Sequence, residues 1–112
     1  MNRKSCRYIY YGSVIALIWW GLATFFTGNL IFKAQNYSGF AFADYRIWGI
    51  LVITVGVIGF VLRQRHPELG LLLFTATWFL IGILFFIGAW YGTAPPVYLA
   101  LSGITLRAFY DL

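Results

Sequence analysis

Residues 8–32 read YIYYGSVIALIWWGLATFFTGNLIF, a run of 25 residues without a charged side chain. An α-helix rises about 1.5 Å per residue, so this run is longer than the roughly 30 Å hydrocarbon core of a bilayer. It therefore predicts a first transmembrane helix. Arg3, Lys4 and Arg7 precede it as in a signal peptide, but the run exceeds the about 7 to 15 residues of a signal core and no A-x-A site closes it. We expect a retained signal anchor.

The rest of the chain divides at its charges and prolines. Arg46 and Arg63 bracket a second uncharged run, and a third run of 38 residues is long enough for two short spans. Pro95 and Pro96 place the break in this third run, because proline removes a backbone donor and restricts the residue before it. We expect a single transmembrane domain with spans at about 8–32, 47–62, 69–91 and 95–110, an outer interfacial loop at 33–46 and a cytoplasmic turn at 63–68.

Composition agrees with a membrane protein. The chain is 62% hydrophobic and 10% charged, with a mean hydropathy of +0.81, whereas soluble domains carry about 25% charged residues. A soluble domain of this length could not bury so much apolar surface. The predicted fold class is an all-α integral membrane protein, with four short transmembrane helices in a compact antiparallel bundle.

The basic residues predict the orientation of this bundle. The net charge is +5, and the basic side chains stand at the ends of the apolar runs. This placement favours the lipid bilayer as the partner and gives no reason to expect nucleic-acid binding. Lys33 and Arg46 fall on one side, and six basic residues fall on the other: Arg3, Lys4, Arg7, Arg63, Arg65 and Arg107. The positive-inside rule then places both termini in the cytoplasm, in an inner or plasma membrane.

The residues that carry chemistry are few. The acidic residues are Asp44, Glu68 and Asp111, all at predicted boundaries, and the one histidine is His66. His66 and Glu68 are too few ligands for a metal site. We therefore expect no enzyme, and we assign no catalytic, cofactor-binding or metal-ligating residue.

Small residues mark candidate helix-packing faces, because in lipid they let two backbones approach closely. The glycines of the second span recur at intervals that place them on roughly one face of a helix. A small-xxx-small pair lies in the first span, and two small residues precede Arg107 in the fourth. The candidates are Gly12, Ala16, Gly49, Gly56, Gly59, Ala100 and Gly103.

Three further positions are candidates for contact with lipid or protein. Phe40 and Phe42 lie in the aromatic outer loop, the best candidate for partner contact. Arg107 either faces inward to bind a lipid phosphate or a partner carboxylate, or pairs with Asp111 four residues later. Cys6, the single cysteine, is either palmitoylated beside the membrane or an unmodified thiol.

Three classes of function fit these features. The first is an accessory or assembly subunit that binds a larger membrane complex, or another copy of itself, through helix packing. The second is a pore or lesion former, since the chain resembles holins in plan. The third is a small transporter, since the chain resembles the small multidrug resistance family in length and number of spans. That family depends on a glutamate embedded in its first helix, and residues 8–32 contain none.

Overall fold

The computed structural model of the chain describes residues 3–31, 44–88 and 94–111. In these ranges the regular structure is α-helical throughout. The helices are α1 (Arg3–Ile31), α2 (Tyr45–Leu62), α3 (Pro67–Gly88) and α4 (Ala94–Asp111).

Three of these helices, α1, α2 and α3, are long and apolar enough to cross a membrane. The predicted all-helical fold and membrane character are thereby confirmed. The fourth helix, α4, has 18 residues, but it is not among the helices that are long and apolar enough to cross a membrane.

Local chemistry sets the helix boundaries. Asp44 is the N-cap of α2, and its carboxylate accepts a hydrogen bond from the backbone N–H of Arg46 at 3.4 Å. This cap starts α2 at Tyr45, so the helix takes in the last two residues of the predicted loop 33–46. Pro67 opens α3, a position where its missing N–H costs no helical hydrogen bond. Pro95 and Pro96 lie in the first turn of α4 for the same reason.

Consecutive helices run antiparallel and pack as two hairpins. The α1–α2 and α3–α4 contacts are the most extensive, α2–α3 and α1–α4 contacts are smaller, and α1 barely meets α3. The most deeply buried large side chains are Leu17, Leu71, Phe74 and Trp78. Among the described helices, α3 supplies the largest share of the buried apolar core.

Glycines set the distance between α1 and α2. A β-carbon added at Gly49 would lie 2.8 Å from the carbonyl oxygen of Gly21, and one added at Gly21 would lie 2.8 Å from that of Gly49. The two backbones therefore touch directly. Close backbone approach at small residues is the usual source of helix association in lipid, where apolar side chains gain little from leaving the acyl chains.

Hydroxyl groups and rings join α3 to α4. The Ser102 hydroxyl donates to the Thr75 carbonyl at 3.0 Å, and the hydroxyls of Thr75 and Thr105 lie 2.8 Å apart. The ring of Tyr98 lies between Trp78 and Phe85, with centroid distances of 5.7 and 5.1 Å. This hairpin is held by polar and aromatic contacts, whereas the first is held by glycine.

Candidate functional site

One end of the bundle gathers most of the chain's basic residues. The start of α1 meets the end of α4 through Cys6, whose sulfur lies 3.7 Å from the carbonyl oxygen of Ala108. It meets the end of α2 through Tyr10, which donates a hydrogen bond to the carbonyl of Gly59. Six cations share this end, which we call the basic end: Arg3, Lys4, Arg7, Arg63, Arg65 and Arg107. Arg46, at the start of α2, lies at the opposite end.

A cavity of about 310 Å³ opens at the basic end. We call it the basic cavity. Arg3 and Arg7 reach it from α1, and Arg63 reaches it from the turn after α2. Its remaining walls are mainly apolar or aromatic: Cys6, Tyr10, Tyr11, Pro67 and Leu71. Three arginines from two parts of the chain therefore line one space.

Arg63 is fixed in place by its own helix. Its Nη1 atom donates to the carbonyl of Phe60 at 2.7 Å, and its guanidinium lies 3.8 Å from the centre of the Phe60 ring. A guanidinium over an aromatic face gains a favourable cation–π interaction. These two contacts already order the Arg63 side chain, so binding an anion would cost it little further conformational entropy.

Cys6 lies inside the bundle. Its side chain is 3% exposed, and Cys6 is one of the residues that line the basic cavity. A palmitoyl transferase would need the thiol on the outside of the helix, so the structure favours the unmodified thiol of the two alternatives.

Arg107 pairs with Asp111, the local alternative for this residue. Its Nε atom lies 2.9 Å from the Asp111 carboxylate, and the arginine side chain is 69% exposed. The guanidinium thus lies on the outside of α4. A second ion pair joins His66 and Glu68 in the turn between α2 and α3, with 3.4 Å between Nδ1 and Oε1.

Across the part of the chain that the structure describes, no group of three His, Cys, Asp or Glu side chains could hold a metal ion.

A second cavity, of about 180 Å³, is a groove between α1 and α4. We call it the α1–α4 groove. Ile9, Gly12 and Ala16 form one wall, and Leu101 and Ile104 form the other. Trp78 lies at its base, and the buried indole N–H of this residue has no acceptor within the described ranges. The groove is apolar and shares no residue with the basic cavity.

The predicted packing residues fall into two groups. Gly49, Gly56 and Gly59 are buried, the first two against α1 and the third against the ring of Phe74 in α3. The other four lie on the outside of the bundle: Gly12, Ala16, Ala100 and Gly103. A β-carbon at Gly12 or Gly103 would meet nothing within 4 Å. Phe40 and Phe42 lie outside the described residues.

Several glycines that let neighbouring helices approach closely are not among the packing residues predicted from the sequence. Gly21 faces Gly49, Gly70 faces the Tyr10 hydroxyl, and Gly82 faces Leu99. Gly21 and Gly28 are seven residues apart, a spacing that could have marked an α1 packing face. The sequence analysis places Arg3, Arg7 and Arg63 on the same side of the membrane but uses them only as orientation signals, since nothing in the sequence shows that they line one cavity. Comparison with protein-family models, curated proteins and solved structures gives no match.

Proposed function

We propose that this chain is a non-enzymatic membrane subunit that binds a transmembrane helix of a larger membrane complex. The observation that carries the proposal is the α1–α4 groove. Small residues in lipid serve close helix approach, and Gly21 and Gly49 serve it within the chain. Gly12 and Ala16 are equally small and are exposed, and a β-carbon added at Gly12 would meet nothing within 4 Å among the described residues. This leaves a surface on which a further helix could pack.

The partner class follows from the lining of the groove. Its walls are aliphatic or small, and its position between two long helices suits a helix lying alongside them rather than a polar loop. A polar stripe, which a water-filled pore would need, is not supported here, because the hydroxyls of Ser102 and Thr105 are buried in contacts with Thr75 of α3. A helix-binding subunit is therefore favoured over a holin-like pore former.

The test is co-purification with a matched pair of variants. Gly12→Leu fills the groove, while Gly103→Leu adds the same side chain to α4 outside it. We expect native mass spectrometry of the tagged chain in mild detergent to show a partner at fixed stoichiometry, retained by Gly103→Leu and reduced at least tenfold by Gly12→Leu.

Two outcomes would contradict this proposal. Equal retention of the partner by both variants would show that the groove is not the binding face. Recovery of the chain alone as a large or heterogeneous homo-oligomer would favour the holin-like alternative and lead to ion-flux assays in liposomes.

We further propose that α4 also crosses the membrane and that both termini are cytoplasmic, in an inner or plasma membrane. The gathering of six basic residues at one end supports this orientation. In a Cys6→Ser background, we expect a membrane-impermeant maleimide added to intact cells to label Arg46→Cys but neither Gln64→Cys nor Tyr110→Cys. Labelling of Tyr110→Cys together with Arg46→Cys would show that α4 does not cross.

A further inference from the structure

We propose that the basic cavity binds the phosphate group of an anionic phospholipid. This site is independent of the α1–α4 groove, with which it shares no lining residue. Arg3, Arg7 and Arg63 bring three like charges to this one space. Like charges brought to one space repel each other, more strongly where low-dielectric walls reduce screening, so an anion in the cavity would relieve an unfavourable arrangement.

The cations of the cavity are available to a ligand. In the described part of the chain the ion pairs are Arg107 with Asp111 and His66 with Glu68. Neither Arg3 nor Arg7 takes part in them. Arg63 uses Nη1 on the Phe60 carbonyl, which leaves further N–H donors of its guanidinium. Among the described residues, no carboxylate lines the cavity, so no acidic side chain of this lining competes with an incoming anion.

The donor set suits phosphate in particular. Guanidinium groups present planar forks of N–H donors that match phosphate oxygens in bidentate fashion. The volume of about 310 Å³ lies at the small end of the range for ligand pockets, about 300 to 1,000 Å³. A phosphodiester with part of a glycerol is small enough for such a space.

The location selects a lipid rather than a soluble phosphate. The cavity lies at the ends of helices that are long and apolar enough to cross a membrane, where lipid headgroups would meet the chain. Its walls include Leu71 and Pro67, and the outer face of α1 continues away from it with accessible apolar side chains such as Tyr8 and Ile15. An acyl chain could follow this face while the phosphate stays among the arginines.

The experiment measures phosphatidylglycerol binding to the purified chain in detergent by native mass spectrometry, with phosphatidylcholine and inorganic phosphate as parallel probes. Arg7→Gln removes a cavity arginine, and Arg65→Gln removes an equal charge from the neighbouring turn outside the cavity. One basic residue near an anionic lipid changes affinity about fivefold. We expect Arg7→Gln to weaken phosphatidylglycerol binding by at least that factor and Arg65→Gln to weaken it less than twofold.

Two results would overturn the site: equal losses of phosphatidylglycerol binding in Arg7→Gln and Arg65→Gln, or equal binding of phosphatidylglycerol and phosphatidylcholine. Binding of inorganic phosphate as strong as that of phosphatidylglycerol, and weakened equally by Arg7→Gln, would overturn the assignment to lipid.

Discussion

Gly49→Leu is expected to separate α1 from α2 and to abolish the compact bundle. A β-carbon at this position would lie 2.8 Å from the Gly21 carbonyl oxygen and 3.0 Å from the backbone nitrogen of Phe25. These are backbone atoms, which cannot rotate away as a flexible side chain can. Overpacking costs about 1 to 3 kcal/mol, occasionally more, and we expect a loss of about 3 kcal/mol here. The free energy of unfolding is measured by SDS titration, with circular dichroism as the signal.

Gly103→Leu is the matched control for this substitution. It places the same side chain on a helix where an added β-carbon meets nothing within 4 Å, so its unfolding midpoint should stay near that of the unmodified chain. Gly49→Ala should fall between the two, because even a single methyl group enters the contact. Coincident midpoints for Gly49→Leu and Gly103→Leu would show that α1 and α2 do not meet at Gly49.

Phe74→Ala is expected to loosen the contact between the two hairpins. The Phe74 side chain is fully buried, its ring lies 5.1 Å from that of Tyr10, and it also covers Gly59. Removing a buried phenylalanine costs about 3 to 5 kcal/mol in soluble proteins. Lipid replaces water as the solvent here, so the transfer part of this cost shrinks while the cavity part remains. We expect a loss of about 2 to 3 kcal/mol in the same SDS titration.

Phe79→Ala is the control for this substitution, because it removes the same side chain from an exposed position. Phe79 lies on the same helix, but its side chain is 53% exposed on the outside of the bundle, so its removal should cost less than about 1 kcal/mol. A loss for Phe79→Ala as large as that for Phe74→Ala would mean that Phe74 does not join the hairpins.

The sequence predicts the helices because several of their boundaries have a local cause. Long uncharged runs mark α1, α2 and α3, and Pro67 and Pro95 have intrinsic helix-starting preferences. These preferences act within a few residues, so no knowledge of the rest of the fold is needed. The capping role of Asp44 is not predicted, and α2 begins two residues before the predicted span.

Which helix each packing residue contacts is harder to predict, because it depends on residues far away in the sequence. Periodicity places Gly49, Gly56 and Gly59 on roughly one face, but it does not tell that Gly59 meets α3 while the other two meet α1. The basic cavity is harder still. Arg7 and Arg63 lie far apart in sequence and become neighbours only when α1 and α2 pair, so as isolated charges they indicate orientation and nothing more.

The arrangement in two hairpins bears on the order in which the chain assembles during its synthesis. Contacts between sequence neighbours close quickly because little chain entropy is lost, and the N-terminal part of a protein leaves the ribosome first. The first two helices can therefore pair at Gly21 and Gly49 before the last two are made. Their paired surface then presents Tyr10 and Gly59 to the incoming ring of Phe74, which makes this contact the step that unites early and late halves of the newborn chain.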